Sequence, residues 1–275
     1  MIKDLVVNLG QGASEPAANF AISVAETFEA HLMGVAFIYD PVIPGSIMGS
    51  IPPEFIEAQR AESEKLASAA VARFEQAAKR SAISYESRIL SASIAGAAEE
   101  LGKLARRFDL AVVGQASRDE AAPTEVVDEG VLFESGRPVI VVPFIQKAGL
   151  KLDRVMVCWD GSRAATRAIA DSMPFLRKAK QVEIVLVTTK GFKTDEAPGA
   201  DLAKHLARHD LQVMLKRITS PDIDIASTIL SYAADSNADM IVMGGYGHSR
   251  LREFVLGGVT RGILESMTVP TLMSH

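Results

Sequence analysis

The chain contains the same pattern of residues twice, and this internal repeat constrains the fold more than any other feature. The stretch KDLVVNLGQGASEPAANFAISVAETFEAHLMGVAFI, near the start, resembles LDRVMVCWDGSRAATRAIADSMPFLRKAKQVEIVLV, near the middle. Each has a short β-branched run, a turn rich in small residues, an alanine-rich amphipathic stretch and a second apolar run. Such self-similarity predicts two copies of one structural unit. We therefore expect two domains, residues 1–146 and 151–275, joined around FIQKAGLKLD.

Each copy alternates short apolar runs with helical patterns. The predicted strands are DLVV, LMGVAF, ISYESRIL, LAVVG and VIVVP in the first copy, and RVMVCW, VEIVLVT, QVMLKRI, MIVMG and TLM in the second. Helical patterns lie between them, for example over residues 54–79 and 225–236. Because nearly continuous apolar strands need helices on both faces of their sheet, the pattern predicts βαβ units and parallel sheets.

Composition argues against several classes of function. The net charge is −5 and the basic residues are spread along the chain, which gives no broad basic surface for a nucleic-acid backbone. The single cysteine, Cys158, excludes an intrachain disulfide and a multi-cysteine zinc site. No run of about 18 apolar residues predicts a membrane span, and the N-terminus lacks the apolar run of a signal peptide. We expect a cytoplasmic protein with no nucleic-acid or membrane partner.

The stretch IVMGGYGHSRLREFVLGGVTRGIL carries the most specific spacing in the chain. Gly244 and Gly247 follow a predicted strand, and after nine further residues come Gly257 and Gly258, where VTRGILESM has a helical pattern. Backbone N–H groups of a glycine-rich βα turn can point at an anion, and the helix dipole attracts one. The turn therefore suits phosphate. Glycines that simply permit close packing are the open alternative, and the pattern is neither a Walker A loop nor the Rossmann fingerprint.

A carboxylate stands at the start of the same copy. Asp160 follows the strand RVMVCW at the carboxyl edge of the predicted sheet, where open α/β sheets bind ligands. There it can accept hydrogen bonds from ribose hydroxyls or hold a metal ion that bridges phosphates. The alternative is that Asp160 and Ser162 only cap the helix that begins with RAATRAI.

With these residues the chain resembles the universal stress protein family in its tandem two-domain form. Members with bound ATP carry a G-2x-G-9x-G-(S/T) pattern after the fourth strand and an aspartate after the first. The resemblance implies two doubly wound parallel sheets of the adenine nucleotide alpha hydrolase type, with strand order 3-2-1-4-5. It also implies ATP or a related adenine nucleotide as ligand, with or without Mg²⁺ or Mn²⁺. The ligand-binding positions that it implies are Asp160, Gly161, Ser162, Thr188, Met243, Gly244, Gly247, His248, Gly257, Gly258, Val259 and Thr260.

One position departs from the family pattern. Gly258 stands where the family has Ser or Thr, so a hydroxyl donor to phosphate is missing while the backbone N–H remains. Ser249, Arg250 and Thr260 are candidates for replacing that contact, whereas a helix cap and a solvated charge are the alternatives for the first two. By the same resemblance, adenine lies beside Met243 and either Val187 or Thr188, which are also ordinary strand residues.

The first copy lacks the motif. Gly114 has no glycine three residues later, and NLGQGASEP offers Gly10 and Gly12 without an acidic residue in the place of Asp160. We expect this copy not to bind ATP in the family manner. The loop DPVIPGSIMGSIPPEF, after its second strand, either covers another ligand or is a plain surface linker.

No catalytic or metal-binding set is predicted. His205 and His209 are four residues apart but lack the surroundings of a zinc motif, and Cys158 is expected to be a buried small hydrophobe. His248 contacts either phosphate or solvent. Without a positioned general base, we expect a slow ATPase at most, and an adenylating or sulfur-transferring enzyme ranks last.

Two functions remain in view from the sequence. The first is a stress-response regulator or switch that binds an adenine nucleotide in the second domain. The second is an interaction module that binds no nucleotide, in which the two domains act as a pseudo-dimer. Association of two chains into a homodimer is open in both cases.

Overall fold

A computed structural model of the chain describes residues 1–10, 15–40, 52–115, 130–188, 199–219, 224–245 and 258–275. These residues form two compact units, Met1–Arg137 and Pro138–His275. The predicted domains, residues 1–146 and 151–275, were defined by the sequence repeat and not by compactness. Their boundaries therefore stay a prediction.

The first unit has a parallel sheet of four strands in the order β3-β2-β1-β4. Its strands are β1 (Asp4–Asn8), β2 (His31–Tyr39), β3 (Tyr85–Ala92) and β4 (Leu110–Gly114). Its helices are α1 (Glu15–Phe28), α2 (Pro53–Arg80) and α3 (Ile94–Ala105). Each helix connects two parallel strands, as the alternating pattern predicted.

The second unit repeats this arrangement in full. Its strands are β5 (Val139–Val142), β6 (Arg154–Cys158), β7 (Gln181–Thr188), β8 (Val213–Thr219), β9 (Met240–Gly244) and β10 (Thr271–Ser274). Its helices are α4 (Arg163–Leu176), α5 (Ala200–Ala207), α6 (Ile225–Asp235) and α7 (Val259–Ser266). The order β8-β7-β6-β9-β10 is the predicted 3-2-1-4-5, and β5 pairs with β10 in antiparallel orientation.

All ten predicted strands are present, and their burial explains why the apolar runs form them. The central strands are buried along nearly their whole length because helices cover both faces of the sheet. The edge strands β3 and β8 instead alternate between more and less exposed residues. The α/β class predicted from the sequence is confirmed.

One hydrogen bond recurs in both units at the amino edge of the sheet. Asp109, just before β4, accepts from the backbone N–H groups of Lys3 and Asp4 at 2.8 and 3.1 Å. Asp239, just before β9, accepts from the backbone N–H of Arg154 at 2.9 Å. Each carboxylate therefore holds the first strand of its unit against the start of the fourth. The same contact in both units is expected if they are two copies of one structural unit.

Among the helices that the structure describes, none combines the length and the apolar character that a bilayer crossing demands.

Candidate functional site

The candidate site lies at the carboxyl edge of β6 and β9. The two strands are direct neighbours, with Val157 paired to Val242, so Asp160 and Gly244 emerge at the same edge of the sheet. The chain continues from β6 to β7 on one side and returns to β9 on the other, which makes this the point where the strand order reverses. Open α/β sheets bind ligands in the crevice at such a point.

The turn after β6 is braced by its own side chains. The Asp160 carboxylate accepts a hydrogen bond from the backbone N–H of Ser162 at 2.8 Å. The Ser162 hydroxyl accepts from the backbone N–H of Ala165 at 3.1 Å and thereby caps α4. Gly161, between them, has φ +76°, a left-handed conformation that costs glycine little. Ser162 is thus the helix cap, whereas Asp160 holds the turn in shape.

Gly244 has a packing role. A Cβ built at this position would lie 2.5 Å from the backbone nitrogen of Ala165 and 2.7 Å from the carbonyl carbon of Ala164. The absence of a side chain therefore lets the end of β9 pass against the first turn of α4. Close packing, the alternative to phosphate binding, accounts for this glycine.

Gly258 is the N-cap of α7 and has no side chain with which to cap it. The backbone carbonyl of Gly258 accepts from the N–H of Gly262 at 2.8 Å, so the helix begins there. The N–H groups of a first turn have no intrahelical partners and carry the positive end of the helix dipole. Because α7 leads into β10, which runs parallel to β9, we expect this end of the helix at the same carboxyl edge as Asp160. Thr260 is buried and Val259 is half-buried.

The predicted adenine positions differ in burial. Met243 is only 5% exposed and belongs to the core of β9. Thr188, at the end of β7, is half-buried, and its hydroxyl lies 3.4 Å from the carbonyl oxygen of Ile218. Val187 is half-buried beside it. Outside the described residues lie Gly247, His248, Ser249, Arg250 and Gly257.

The last two residues of the chain, Ser274 and His275, contact the start of the glycine motif, and the sequence did not predict these contacts. The carbonyl of Gly245 accepts from the ring Nδ1 of His275 at 3.1 Å, and its N–H donates to the carbonyl of Ser274 at 2.9 Å. The Ser274 hydroxyl in turn donates to Asp171 at 3.0 Å. Nothing local in the sequence indicates these contacts, because they join the last strand to residues far away in the chain.

Cys158 and the pair His205 and His209 are not placed to act as a nucleophile or as a metal site. Although part of Cys158 is accessible, burial of the thiol raises its pKa to about 12, and the nearby Asp160 carboxylate acts in the same direction. Such a thiol is not a nucleophile at neutral pH. His205 and His209 are exposed, with ring centroids 5.0 Å apart. Within the described ranges no group of three His, Cys, Asp or Glu side chains is placed to hold a metal ion.

A buried polar cluster in the second unit also escaped sequence analysis. Glu183, in β7, is 3% exposed, and one carboxylate oxygen accepts from the Tyr232 hydroxyl at 2.6 Å. The guanidinium of Arg154 lies 3.9 Å from the other oxygen. Burial, followed by the hydrogen bond to the carboxylate, raises the pKa of Tyr232 to about 12. Since Glu183 is near the amino end of its strand, this cluster stabilises the unit away from the candidate site.

The second half of the sequence matches a known family, and nearly the whole chain matches known folds. Residues 151–275 match the model of the universal stress protein family. Universal stress protein Slr1230 of Synechocystis sp. is 24% identical over 147 residues, and the match spans about half of each protein, 52% of this chain and 49% of the relative.

The solved structures that the chain resembles include two that cover nearly all of it. A universal stress protein from Archaeoglobus fulgidus superposes with a TM-score of 0.71 at 18% identity, covering 98% of this chain and 95% of its own. A functionally unknown protein from Pseudomonas aeruginosa superposes with a TM-score of 0.61 at 14% identity, covering 99% and 92%. At these identities the similarity shows a common fold for both halves.

Proposed function

We propose that the second unit, whose residues 151–275 match the model of the universal stress protein family, binds ATP or a related adenine nucleotide. Occupancy of this site would act as a switch in a stress response. The observation that carries the proposal is that the Asp160 turn and the end of β9 at Gly244 emerge at one sheet edge, where the uncapped start of α7 at Gly258 is also expected.

The start of α7 suits the phosphates. Its first N–H groups lack intrahelical partners, and the N-cap residue makes no side-chain hydrogen bond to them. A glycine there also allows the backbone to approach a phosphate closely. The motif glycines Gly247 and Gly257 belong to the same proposal, although they lie outside the described residues.

Asp160 suits the ribose or a phosphate-bound cation. One carboxylate oxygen is held by the N–H of Ser162, which fixes the orientation of the group, and the second oxygen is the one available for a ligand. An oxygen donor of this kind fits Mg²⁺ or Mn²⁺, which would neutralise charge on the phosphates. Thr188 ends the neighbouring strand β7 and belongs to the proposed adenine side.

The site is proposed to bind rather than to catalyse. His275 also lies at this edge, but its ring Nδ1 is hydrogen-bonded to the carbonyl of Gly245, so the proposal assigns no general base to the site. We therefore expect turnover of ATP far below the usual enzymatic range of about 1 to 1,000 per second.

A second candidate function rests on Gly258. The hydroxyl that the family places there is absent, and Ser162 already uses its own hydroxyl to cap α4. If these losses prevent nucleotide binding, the chain is an interaction module of the same fold. A pseudo-dimer of the two halves and a homodimer of chains stay predictions.

Trp159 provides the test, because it is the only tryptophan in the chain and directly precedes Asp160. The purified full chain would first be denatured to release and identify any bound nucleotide. The refolded protein would then be titrated with ATP, AMP and GTP while tryptophan fluorescence is recorded. We expect a Kd for ATP below about 1 mM, which corresponds to about 4 kcal/mol of binding free energy.

Two variants locate the site. Asp160→Asn keeps an oxygen for the Ser162 N–H but removes the charge, so we expect about tenfold weaker binding of ATP with little loss of stability. Asp153→Asn is the matched control, because Asp153 pairs with Lys180 beside the opposite end of β6. Gly247→Val should abolish binding. If wild type binds no adenine nucleotide at millimolar concentration, the interaction module is favoured; if Gly247→Val binds as wild type does, the site is elsewhere.

A further inference from the structure

A groove lies between α1 and α2 of the first unit, beside the carboxyl end of β1. Its volume is about 220 Å³. Its floor is apolar and is formed by Leu9, Ala18, Ala70, Phe74 and Ala77. Its rim is polar and is formed by Asn19, Arg73, Gln76 and Arg80. None of the described residues that line it is acidic, so its rim is cationic above a hydrocarbon surface.

The two arginines carry that charge without a partner. Arg73 and Arg80 are exposed, and neither forms an ion pair with any residue that the structure describes. They are seven residues apart on α2, which is about two turns, so both lie on the same side of the helix. Arg60, nearer the start of α2, instead lies 4.0 Å from the carboxylate of Asp40. Unpaired guanidinium groups beside an apolar surface are suited to an anion that has a hydrophobic part.

The second unit repeats only one of these two arginines. Both α2 and α5 end shortly before a residue with positive φ, Ala82 at 53° and Asp210 at 61°. Counted back equally from those residues, the position of Arg73 is occupied by Asp201, whose carboxylate lies 3.4 Å from Lys204. The charge at this position is thus reversed between the two units, whereas the position of Arg80, counted in the same way, is occupied by Arg208 and keeps its charge.

We propose that this groove binds a small amphipathic anion, a carboxylate or phosphate monoester on a short apolar body. The guanidinium groups of Arg73 and Arg80 would hold the anionic end, and the apolar part would lie on Leu9 and Phe74. A volume of about 220 Å³ is below the range of about 300 to 1,000 Å³ that larger ligands occupy, so a nucleotide is not the ligand. The groove is therefore a site independent of the nucleotide site proposed for the second unit.

The test uses the full chain labelled with ¹⁵N and three small probes of one shape. Benzoate and phenyl phosphate represent the two anion types, and benzamide is the uncharged control. We expect both anions, at up to about 10 mM, to shift the backbone amide signals of Gly10, Asn19 and Gln76, and benzamide to shift them much less. The stronger of the two anions identifies the head group that the site prefers.

Variants of the lining residues test whether the anion binds in the groove. Replacing both arginines, Arg73→Gln with Arg80→Gln, should weaken the preferred anion at least about tenfold, because two charge-assisted hydrogen bonds are lost. Arg60→Gln is the matched control on the same helix and should leave binding unchanged. Ala77→Leu, at a half-buried position, should block binding by filling the groove while both charges remain.

Three outcomes would overturn the proposal: equal binding of benzamide and benzoate, unchanged binding in the double arginine variant, or shifts confined to the second unit. Excess ATP should not displace the bound anion. A chain that binds no ATP but retains the groove signals would remove only the nucleotide proposal, whereas loss of the groove signals alone would remove only this one.

Discussion

The two units differ in the pair of residues that follows their first strand, although the backbone positions are equivalent. Asn8 pairs with Val35 in the first unit as Cys158 pairs with Val185 in the second, so Leu9 and Gly10 occupy the places of Trp159 and Asp160. The second unit therefore presents a carboxylate at the carboxyl edge where the first presents a glycine. Duplication preserved the sheet, while the side chains at its edge diverged.

A similar divergence is found inside the sheets. Met33 pairs with Val6 in the first unit as Glu183 pairs with Met156 in the second, and both side chains are 3% exposed. One unit therefore fills the position with a thioether and the other with a carboxylate that needs partners. The fold tolerates both because Tyr232 and Arg154 supply a hydrogen bond and a counter-charge to the carboxylate.

The largest effect is expected at Gly244. In Gly244→Val the new side chain would collide with the backbone of Ala164 and Ala165, so β9 must move away from α4. We expect a loss of about 3 kcal/mol or more in the free energy of unfolding, measured by urea denaturation. In Gly258→Ala the nearest atom to the new Cβ is the Cβ of Arg261, at 3.1 Å, and this control should lose much less. Equal losses in the two variants would contradict the packing role of Gly244.

The next effect concerns the buried carboxylate. Glu183→Met gives the second unit the residue of the first, but it leaves the Tyr232 hydroxyl without its acceptor, so we expect a loss of about 2 kcal/mol. Adding Tyr232→Phe should recover at least half of that loss, because both partners are then apolar. A double-mutant cycle by urea denaturation measures the coupling, and a cycle with no coupling would refute it.

The same cluster predicts a dependence on alkaline pH. The pKa of Tyr232 is raised from 10.0 to about 12 in the folded chain, so between these values the folded state holds a proton that the unfolded state has lost. This contribution to stability is fully present below pH 10 and is lost as pH rises towards 12. Tyr232→Phe should therefore show a smaller fall in unfolding free energy over this range than wild type. An identical fall in both proteins would show that Tyr232 is not responsible.

A smaller effect is expected at two glycines with positive φ. Gly161 has φ +76° in the second unit and Gly136 has φ +62° in the first, and a Cβ on either meets no atom within 4 Å. Gly→Ala at each position should cost about 1 to 2 kcal/mol through backbone strain alone. Only Gly161→Ala should also weaken ATP binding, since it alone shifts the Asp160 turn. A loss of affinity in Gly136→Ala would break this distinction between the units.

The smallest stability effect is expected at Gly258. Its φ of −56° suits any residue, so Gly258→Ser should cap α7 and raise stability by a few tenths of a kcal/mol. If the start of α7 binds phosphate, the added hydroxyl should also lower the Kd for ATP. Calorimetric unfolding and fluorescence titration measure the two effects, and weaker binding in Gly258→Ser would argue against the proposed site.

The fold was predictable because its signals are local. The ten apolar runs, the helical patterns between them and the repetition of both are read from residues that are neighbours in sequence. The location of the candidate site was also predictable, because Asp160 and Gly244 each follow a predicted strand and parallel strands end at one edge of their sheet. The helical pattern that begins after Gly258 was visible in the sequence as well. The strand order came from the resemblance to a family, and the structure agrees with it.

The contacts that explain individual residues were not predictable in this way. Gly244 is a glycine because Ala165 approaches it, although nearly eighty residues separate them in the chain. Glu183 is tolerated in a buried strand because Tyr232 reaches it from another helix. Arg73 and Arg80 are ordinary helix-surface residues in sequence, and only the packing of α2 against α1 places them beside one groove.

By itself the sequence determined the duplication, the α/β architecture and the edge of the sheet at which the candidate site lies, because periodicity and spacing act over short distances along the chain. Tertiary structure alone decided that Ser162 caps α4 while Asp160 braces the turn, that Gly244 serves packing and that the first unit has a cationic groove. The physical reason is that hydrogen bonds, close contacts and unpaired charges depend on which distant residues the folded chain brings within a few ångströms.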